Sequence, residues 1–412
     1  MKLIFIKIGK AFTAIQREGI LAGGRRVLLA FFSLFRFVGK GQILFVIGGV
    51  GDSARYRAHH VSEELESKGF KCSITVQDNP LIPSYVDKFD VFIFHRVLFS
   101  PSVKKMIEKI KQQKKEIIFE TDDLVYDPKY LEYMDYFKVM NPLEKKLYEN
   151  GVGGEILADP YVKVATTSTT FLAEKLAGRG KKVFLVPNKL SKADIETANE
   201  VISHKSSVIN RNSDNIQETK KLKPNKLKAK EAISIGYFSG APSHNKDFAT
   251  VTDALMQIME KYPSVELFLA GPLDIESKLN KYGERIKKLA QVPRKEHFAN
   301  IANVDINIAP LEIGNPFCES KSELKFFEAG IVKVPTLAAA TQTFKEAIED
   351  GVDGFVANGT QEWFEKLEKL VLDKDLRKSM GKKAHEKALE RYTVANAKNE
   401  DYYEYLRTKL KK

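Results

Sequence analysis

The sequence predicts an α/β protein built from two doubly wound domains in tandem, and three observations lead there. Short apolar runs alternate with amphipathic stretches, the pattern of parallel strands joined by helices. That alternation stops once, at a segment rich in Ser, Asn and Lys over 204–230, and restarts at 232. The chain has 412 residues, 43% hydrophobic and 29% charged, which is enough for two or three domains that each bury a core.

The first domain is expected over 41–190. Its strand candidates are 42–47, 71–76, 90–94, 116–120, 162–166 and 183–187, with a helix from about Ser53 after the turn Gly48-Gly49-Val50-Gly51. Residues 191–231 read as a solvated linker or exposed insertion. The second domain, 232–395, has strand candidates at 232–238, 265–270, 304–309, 334–339 and 354–357, and 396–412 reads as a C-terminal helix. Ligands of such sheets bind beyond the carboxyl ends of the strands, so a cleft between the domains is the expected site.

Net charge is +12, unevenly placed. Residues 1–40 carry Lys2, Lys7, Lys10, Arg17, Arg25, Arg26, Arg36 and Lys40 against Glu18 alone, and 204–230 is similarly basic, so the remaining chain is close to neutral. A nucleic-acid binder needs clustered cations on its folded body, so this distribution speaks against one. The apolar run at 27–38 is too short for the roughly 20 residues of a membrane span, and lacks a small-residue cleavage site. An interfacial helix on an anionic cytoplasmic leaflet fits it, and so does a helix packed on its own protein. Cys72 and Cys318 are too distant in sequence to resemble a disulfide framework or a zinc cluster, which points to a reducing compartment.

Three strand ends carry candidate chemistry. Gly49-Val50-Gly51-Asp52-Ser53-Ala54 matches G-x-G-x-x-A, with Asp78 where a dinucleotide enzyme keeps its ribose carboxylate. The same turn continues Arg55-Tyr56-Arg57, two guanidinium groups that suit an anionic acceptor, or is simply a tight turn. At the next rim lie His95-Arg96 and Thr121-Asp122-Asp123. Paired carboxylates there could hold a divalent ion or a hydroxyl-rich ligand, or cap a turn, but the spacing is not Asp-x-Asp and indicates no metal-dependent site. The third is in the second half. Ser239, Gly240, His244 and Lys246 occupy a loop between a strand and a helix, suited to phosphate. Asn315 to Gly330 leads into a helix on which Lys321, Lys325 and Glu328, spaced by four and three, share one face. Two lysines fit a diphosphate and the carboxylate a ribose diol, while a surface ion-pair ladder explains the spacing equally well. No Ser-His-Asp nucleophile set, Walker loop or zinc signature stands out.

The run Ala-Asn-Val-Asp-Ile-Asn-Ile-Ala-Pro-Leu-Glu at 302–312, the stretch from Asn315 to Gly330 and Val334-Pro335 together resemble the donor-binding segment of family 4-type glycosyltransferases. These have the two-Rossmann, or GT-B, architecture: two Rossmann-like domains facing a cleft. The resemblance implies that Ser239, Gly240, His244, Lys246, Asn315, Lys321, Ser322 and Lys325 bind a nucleotide-diphosphate sugar, with Glu328 on the ribose as the second glutamate of the family's pair. Where the family has its first glutamate this chain has Ser320, with Glu319 one place off, and the usual arginine of the first donor loop is replaced by Ser239 to His244. The variant is similar to that of a glycan-assembly subgroup.

In the first domain the resemblance implies an acceptor site of Gly49, Gly51, Arg55, Tyr56, Arg57 and Arg96, and catalytic roles for His95, Asp122 and Asp123. It also implies a retaining, metal-independent transfer to a glycan or lipid-linked glycan, with no cofactor besides the nucleotide sugar. The expected location is cytoplasmic, peripheral at the inner face of the membrane. The alternatives are an NAD-dependent oxidoreductase using Gly49 to Ala54 and an inactive scaffold of the same fold.

Overall fold

The computed structural model describes residues 37–134, 137–138, 140, 142–218, 232–240, 245–275, 277–290 and 292–410, and also Gly24, Leu28 and Phe32. The basic arm over 1–40 lies outside these, apart from its last four positions and those three residues, as does His244. Among the described residues no helix is long and apolar enough to cross a membrane. The chain divides into two compact units, 1–189 together with 397–412, and 190–396.

The first unit is a six-stranded parallel sheet in the order β2-β1-β3-β4-β5-β6, from β1 (Ile43–Ile47), β2 (Cys72–Val76), β3 (Val91–His95), β4 (Glu116–Thr121), β5 (Val164–Thr167) and β6 (Lys182–Leu185). β1 and β3 are buried along their whole length, as expected of strands covered on both faces. One face of β1 presents Ile43, Phe45 and Ile47 to Ala54, Ala58, Val61 and Leu65. Those four belong to α1, which runs without a break through Asp52–Ala54, a π-helical stretch Arg55–His60, and Val61–Ser67. Helices α2 (Pro101–Gln112) and α3 (Thr170–Ala177) are capped by Ser100 and Thr169, whose hydroxyls accept from Val103 N and Leu172 N. The C-terminal helix, Glu400–Lys409, returns to this unit and adds Tyr402, Tyr403 and Leu406 to the same core. Its anchor is the buried Glu64, whose Oε1 accepts from Asn399 Nδ2 and Tyr403 Oη, each at 2.6 Å.

The second unit repeats the plan, with sheet order β12-β11-β10-β7-β8-β9. Its strands are β7 (Ile233–Phe238), β8 (Val265–Ala270), β9 (Ile286–Leu289), β10 (Ile306–Ala309), β11 (Thr336–Ala339) and β12 (Phe355–Ala357). The flanking helices include α4 (Lys192–Glu218), α5 (Thr252–Lys261), α6 (Arg294–Ala302), α7 (Leu324–Ile331), α8 (Gly359–Leu372) and α9 (Lys374–Arg391). Two expectations change here. The segment read as a linker from 191 is helical to Glu218, because it contains neither Gly nor Pro and its start carries a reciprocal cap: Ser191 Oγ accepts from Asp194 N at 3.1 Å while Asp194 Oδ2 accepts from Ser191 N at 3.2 Å. Strand β9, Ile-Lys-Lys-Leu, was not expected at all. It is a sheet edge, and its two exposed lysines hide the apolar signal while guarding the edge against pairing with another chain.

In both sheets the strand order reverses once, between β1 and β3 and between β7 and β10. The candidate residues of each unit lie beyond the carboxyl ends at that reversal, where doubly wound sheets open a crevice.

Candidate functional site

In the first unit the crevice is fixed by a backbone contact. A Cβ on Gly48 would lie 1.8 Å from the Arg96 carbonyl oxygen, so no other residue fits between the ends of β1 and β3. Arg96 itself has φ 49°, the left-handed region, at a cost of about 1–2 kcal/mol for a residue with a side chain. That turn brings its guanidinium onto two carboxylates: Nε is 2.6 Å from Asp122 Oδ1, and Nη2 donates to Asp123 Oδ2. Burial opposes the charge on Arg96, but Asp122 and Asp123 outweigh it and raise its pKa.

Ser53, in the first turn of α1, lies 2.7 Å from Asp122 Oδ2 and 2.8 Å from His95 Nε2. A hydroxyl has one proton for these two neighbours. Burial would raise the Asp122 carboxyl, yet Arg96 beside it prevails and holds it well below the usual carboxylate range, so Asp122 is an anion and accepts from Ser53. His95 Nε2 therefore carries a hydrogen and donates to Ser53 Oγ. Burial pulls the imidazole pKa down to about 3, so the ring is neutral. Its Nδ1 is buried without a hydrogen-bond partner among the described residues, 3.9 Å from Glu120 Oε1. A serine, a histidine and an aspartate thus meet where the sequence showed no such set, but in the wrong order for a nucleophile: the serine proton is turned toward the aspartate and away from the imidazole.

The arginines of this rim are each paired with a carboxylate, and one of them is inside. Arg57 is fully buried, donating from Nε and Nη2 to Glu120 at 2.8 and 3.0 Å and from Nη1 to the Val186 carbonyl and Asn188 Oδ1. Glu120 overrides the burial penalty and raises the Arg57 pKa. Tyr56, also buried, packs edge-on against His60 at 4.8 Å. Both residues, expected at the acceptor rim, are inside: Arg57 follows Ala54 by three and precedes Val61 by four, on the face of α1 that meets the core, and Tyr56 beside it is buried as well. Arg55 is partly exposed and paired with Asp52 at 3.2 Å. Gly49 and Gly51 are exposed with open space around them. His95 is 2% exposed and Asp123 is a turn residue whose Oδ1 accepts from Val125 N. Besides Gly49, Gly51 and Arg55, Asp122 and Arg96 are partly exposed, with Ser53 against Asp122.

In the second unit Gly271, at φ 95°, plays the part of Gly48: a Cβ there would lie 1.9 Å from the Ser239 carbonyl oxygen, so the end of β7 rests on the end of β8. Ser239 is buried, Gly240 and Lys246 are exposed. The loop after β10 is tied down from within. Asn315 caps the helical turn Pro316–Glu319 by accepting from Phe317 N at 3.0 Å, and its Nδ2 donates to Glu312 Oε2. Glu319 accepts from the amides of Gly314 and Gln342 at 3.1 and 3.0 Å, and Ser320 is buried with its hydroxyl on the Phe317 carbonyl. Ser322 lies in the partly exposed turn just before α7.

Lys325 is in the first turn of α7, with Glu328 three residues on, but Lys321 lies three residues before the helix begins, so the three do not share one helix face as their spacing suggested. Neither ammonium makes a hydrogen bond or ion pair among the described residues; Lys325 Nζ lies 5.7 Å above the Tyr237 ring. Burial lowers the Lys325 pKa against the opposite pull of Glu328 and Asp247. One turn on, Glu328 is buried with both oxygens engaged: Arg294 Nη1 donates to Oε1, and His297 Nε2 is 3.1 Å from Oε2. Arg294 Nε also donates to Asp194 Oδ1 at 2.9 Å. Sequence reading missed Arg294, His297 and Asp194. They come from α6 and α4, and only the fold brings those helices beside α7.

Asp247, Glu312 and Cys318 hold one potential metal-ligand atom each within 4.8 Å of one another. The Cys318 thiol donates to Asp247 Oδ1 at 3.1 Å, and burial, then Asp247, push its pKa far up, while Glu312 Oε2 accepts from Asn315 Nδ2.

Residues 253–399 match the sequence family described as glycosyl transferase-like. No curated protein matches the chain. Among solved structures, Anabaena HepE in complex with UDP-glucose is 14% identical, with 89% of this chain and 100% of that one covered and a TM-score of 0.58. Sucrose-phosphate synthase from Thermosynechococcus elongatus is 12% identical, covering 89% and 100%, with a TM-score of 0.57. A glycosyltransferase from Rickettsia africae is 13% identical, covering 90% and 99%, with a TM-score of 0.58. At these identities the likeness is one of fold: two Rossmann-like domains of the GT-B kind.

Proposed function

We propose that this protein is a family 4-type glycosyltransferase that moves a sugar from a nucleotide-diphosphate sugar to a hydroxyl of a glycan or lipid-linked glycan. The observation that carries the reading is the segment leading into α7, where Lys321 and, on the helix itself, Lys325, neither with a carboxylate partner among the described residues, precede the buried carboxylate of Glu328. A departing diphosphate develops negative charge, and Lys321 and Lys325, with Lys246 from the loop after β7, supply fixed positive charge for it without a metal ion. Glu328 accepts hydrogen bonds from the ribose diol. The UDP-glucose complex of the Anabaena protein supports this class of donor.

The bond from the anomeric carbon to the diphosphate breaks, and a bond to the acceptor oxygen forms on the same face. The acceptor proton leaves with the diphosphate or to water. Asp122 and Arg96 at the rim of the first unit meet the acceptor hydroxyls, with His95 as a neutral support beneath them. The basic arm, 1–40, holds the enzyme at an anionic inner membrane surface, where a lipid-linked acceptor resides.

A thermal-shift series with UDP, GDP, ADP, CMP, dTDP and NAD tests the reading, because a ligand that binds only the folded chain raises its stability. A rise with a nucleoside diphosphate supports it. A rise with NAD alone transfers the assignment to an oxidoreductase, and no rise with any of them favours the inactive scaffold.

A further inference from the structure

We propose that Arg294 is the positioning residue of the ribose subsite, holding Glu328 ionised and aimed; the inference rests on the reading of Glu328 given above. Glu328 is a buried carboxylate, and such a group stays charged only when a cation and hydrogen bonds face it. Arg294 supplies both, on Oε1, while His297 takes Oε2. Arg294 is itself held on two sides. Its guanidinium stacks 4.4 Å from the Phe298 ring centre, and its Nε is fixed by Asp194 Oδ1 at 2.9 Å. Asp194 cannot turn away, because its other oxygen closes the cap at the head of α4.

The chain of contacts runs from that cap through Asp194 and Arg294 to Glu328. Alongside it, Lys295 pairs with Glu200 at 2.9 Å and Lys205 Nζ donates to the Ala302 carbonyl at 2.5 Å, so the first half of α4 is tied to α6. A carboxylate fixed in this way has its remaining acceptor directions set before a ligand arrives, the condition under which hydrogen bonds to a diol discriminate. Arg294 touches the carboxylate and not the reacting atoms, so its influence travels through Glu328.

The test uses the full chain and isothermal titration with UDP, GDP and ADP. The best-binding member is then compared with its 2′,3′-dideoxy counterpart in wild type, Glu328→Ala, Arg294→Ala and Arg294→Lys, each first checked by its melting curve. Wild type is expected to prefer the ribose form by about tenfold, the size of a lost hydrogen bond to a charged group. Glu328→Ala should bind both forms alike, Arg294→Ala should do the same, and Arg294→Lys should keep part of the preference. If Arg294→Ala weakens both nucleotides by one factor and keeps the preference, or leaves binding unchanged, the positioning role is wrong while the ribose assignment stands. If Glu328→Ala keeps the preference, or wild type shows none or binds none of the three, the ribose assignment falls and this inference with it. Should Arg294→Ala fail to fold, Arg294→Lys decides alone: an undiminished preference overturns the role.

Discussion

The two units carry the same sheet plan and treat charge in opposite ways. In the first, every arginine of the candidate rim has a carboxylate against it: Arg57 on Glu120, Arg96 on Asp122 and Asp123, Arg55 on Asp52. In the second, Lys321 and Lys325 stand without such a partner among the described residues, while Arg294 fixes the nearby carboxylate. Charges that neutralise one another hold a shape, and charges left open attract a ligand. Residue type alone would have assigned both sets to anion binding. The distinction is made by burial and by what each strand end brings alongside.

The largest effect separating the two regions is expected from Arg57→Ala. It leaves Glu120 buried and unpaired, and should destabilise the protein by about 3–5 kcal/mol in denaturant unfolding. Retention of wild-type stability would remove Arg57 from the structural side of the comparison. Gly48→Ala and Gly271→Ala probe what the units share, since each forces a methyl into a neighbouring carbonyl. A loss of about 1–3 kcal/mol is expected for either, against less than about 0.5 kcal/mol for Gly49→Ala, which meets open space. Equal behaviour of Gly48→Ala and Gly49→Ala would contradict the close approach at Arg96.

Lys325→Ala and Lys321→Ala should leave the melting temperature nearly unchanged yet weaken nucleoside diphosphate binding by about 1.5–3 kcal/mol each, read by titration. Unaltered affinity in both would place these lysines with the paired charges of the first unit. The smallest effect near neutral pH is a pH dependence that grows on acidification. The folded-state pKa of His95 is lowered to about 3 from an ordinary value of 6.5, so between those values the unfolded chain binds a proton that the folded chain does not. Its contribution is therefore complete above about pH 6.5 and declines on acidification, by at most about 1.4 kcal/mol per pH unit until pH 3. His95→Gln should flatten the stability profile between pH 4 and 6.5, and an unchanged slope would show that another group titrates there.

The fold was legible because strands covered on both faces read as apolar runs, and eleven of the twelve were located to within a few residues. The exception, β9, is an edge whose lysines break the pattern. Helix α4 was misread for a related reason: its polar composition suggests solvent, and besides the local cap of Ser191 and Asp194 what holds it is pairings to α6 that no local window contains. At the sites, the residues chosen for lying at strand ends do lie at strand ends, since that follows from the strand pattern. Their orientation was not legible. Whether Arg57 looks outward or inward depends on which face of α1 packs on the sheet, and the hold on Glu328 comes from a helix more than thirty residues earlier.

The return of the final helix to the first unit also sets the order in which this chain can finish folding. Tyr402, Tyr403 and Leu406 belong to the core that α1 and β1 begin, yet the ribosome delivers them after the whole second unit has been made. At about 5–20 residues per second the first unit waits tens of seconds for its last core side chains. During synthesis the later domain is complete before the earlier one, and the nascent first unit carries an uncovered apolar strip that chaperones can engage.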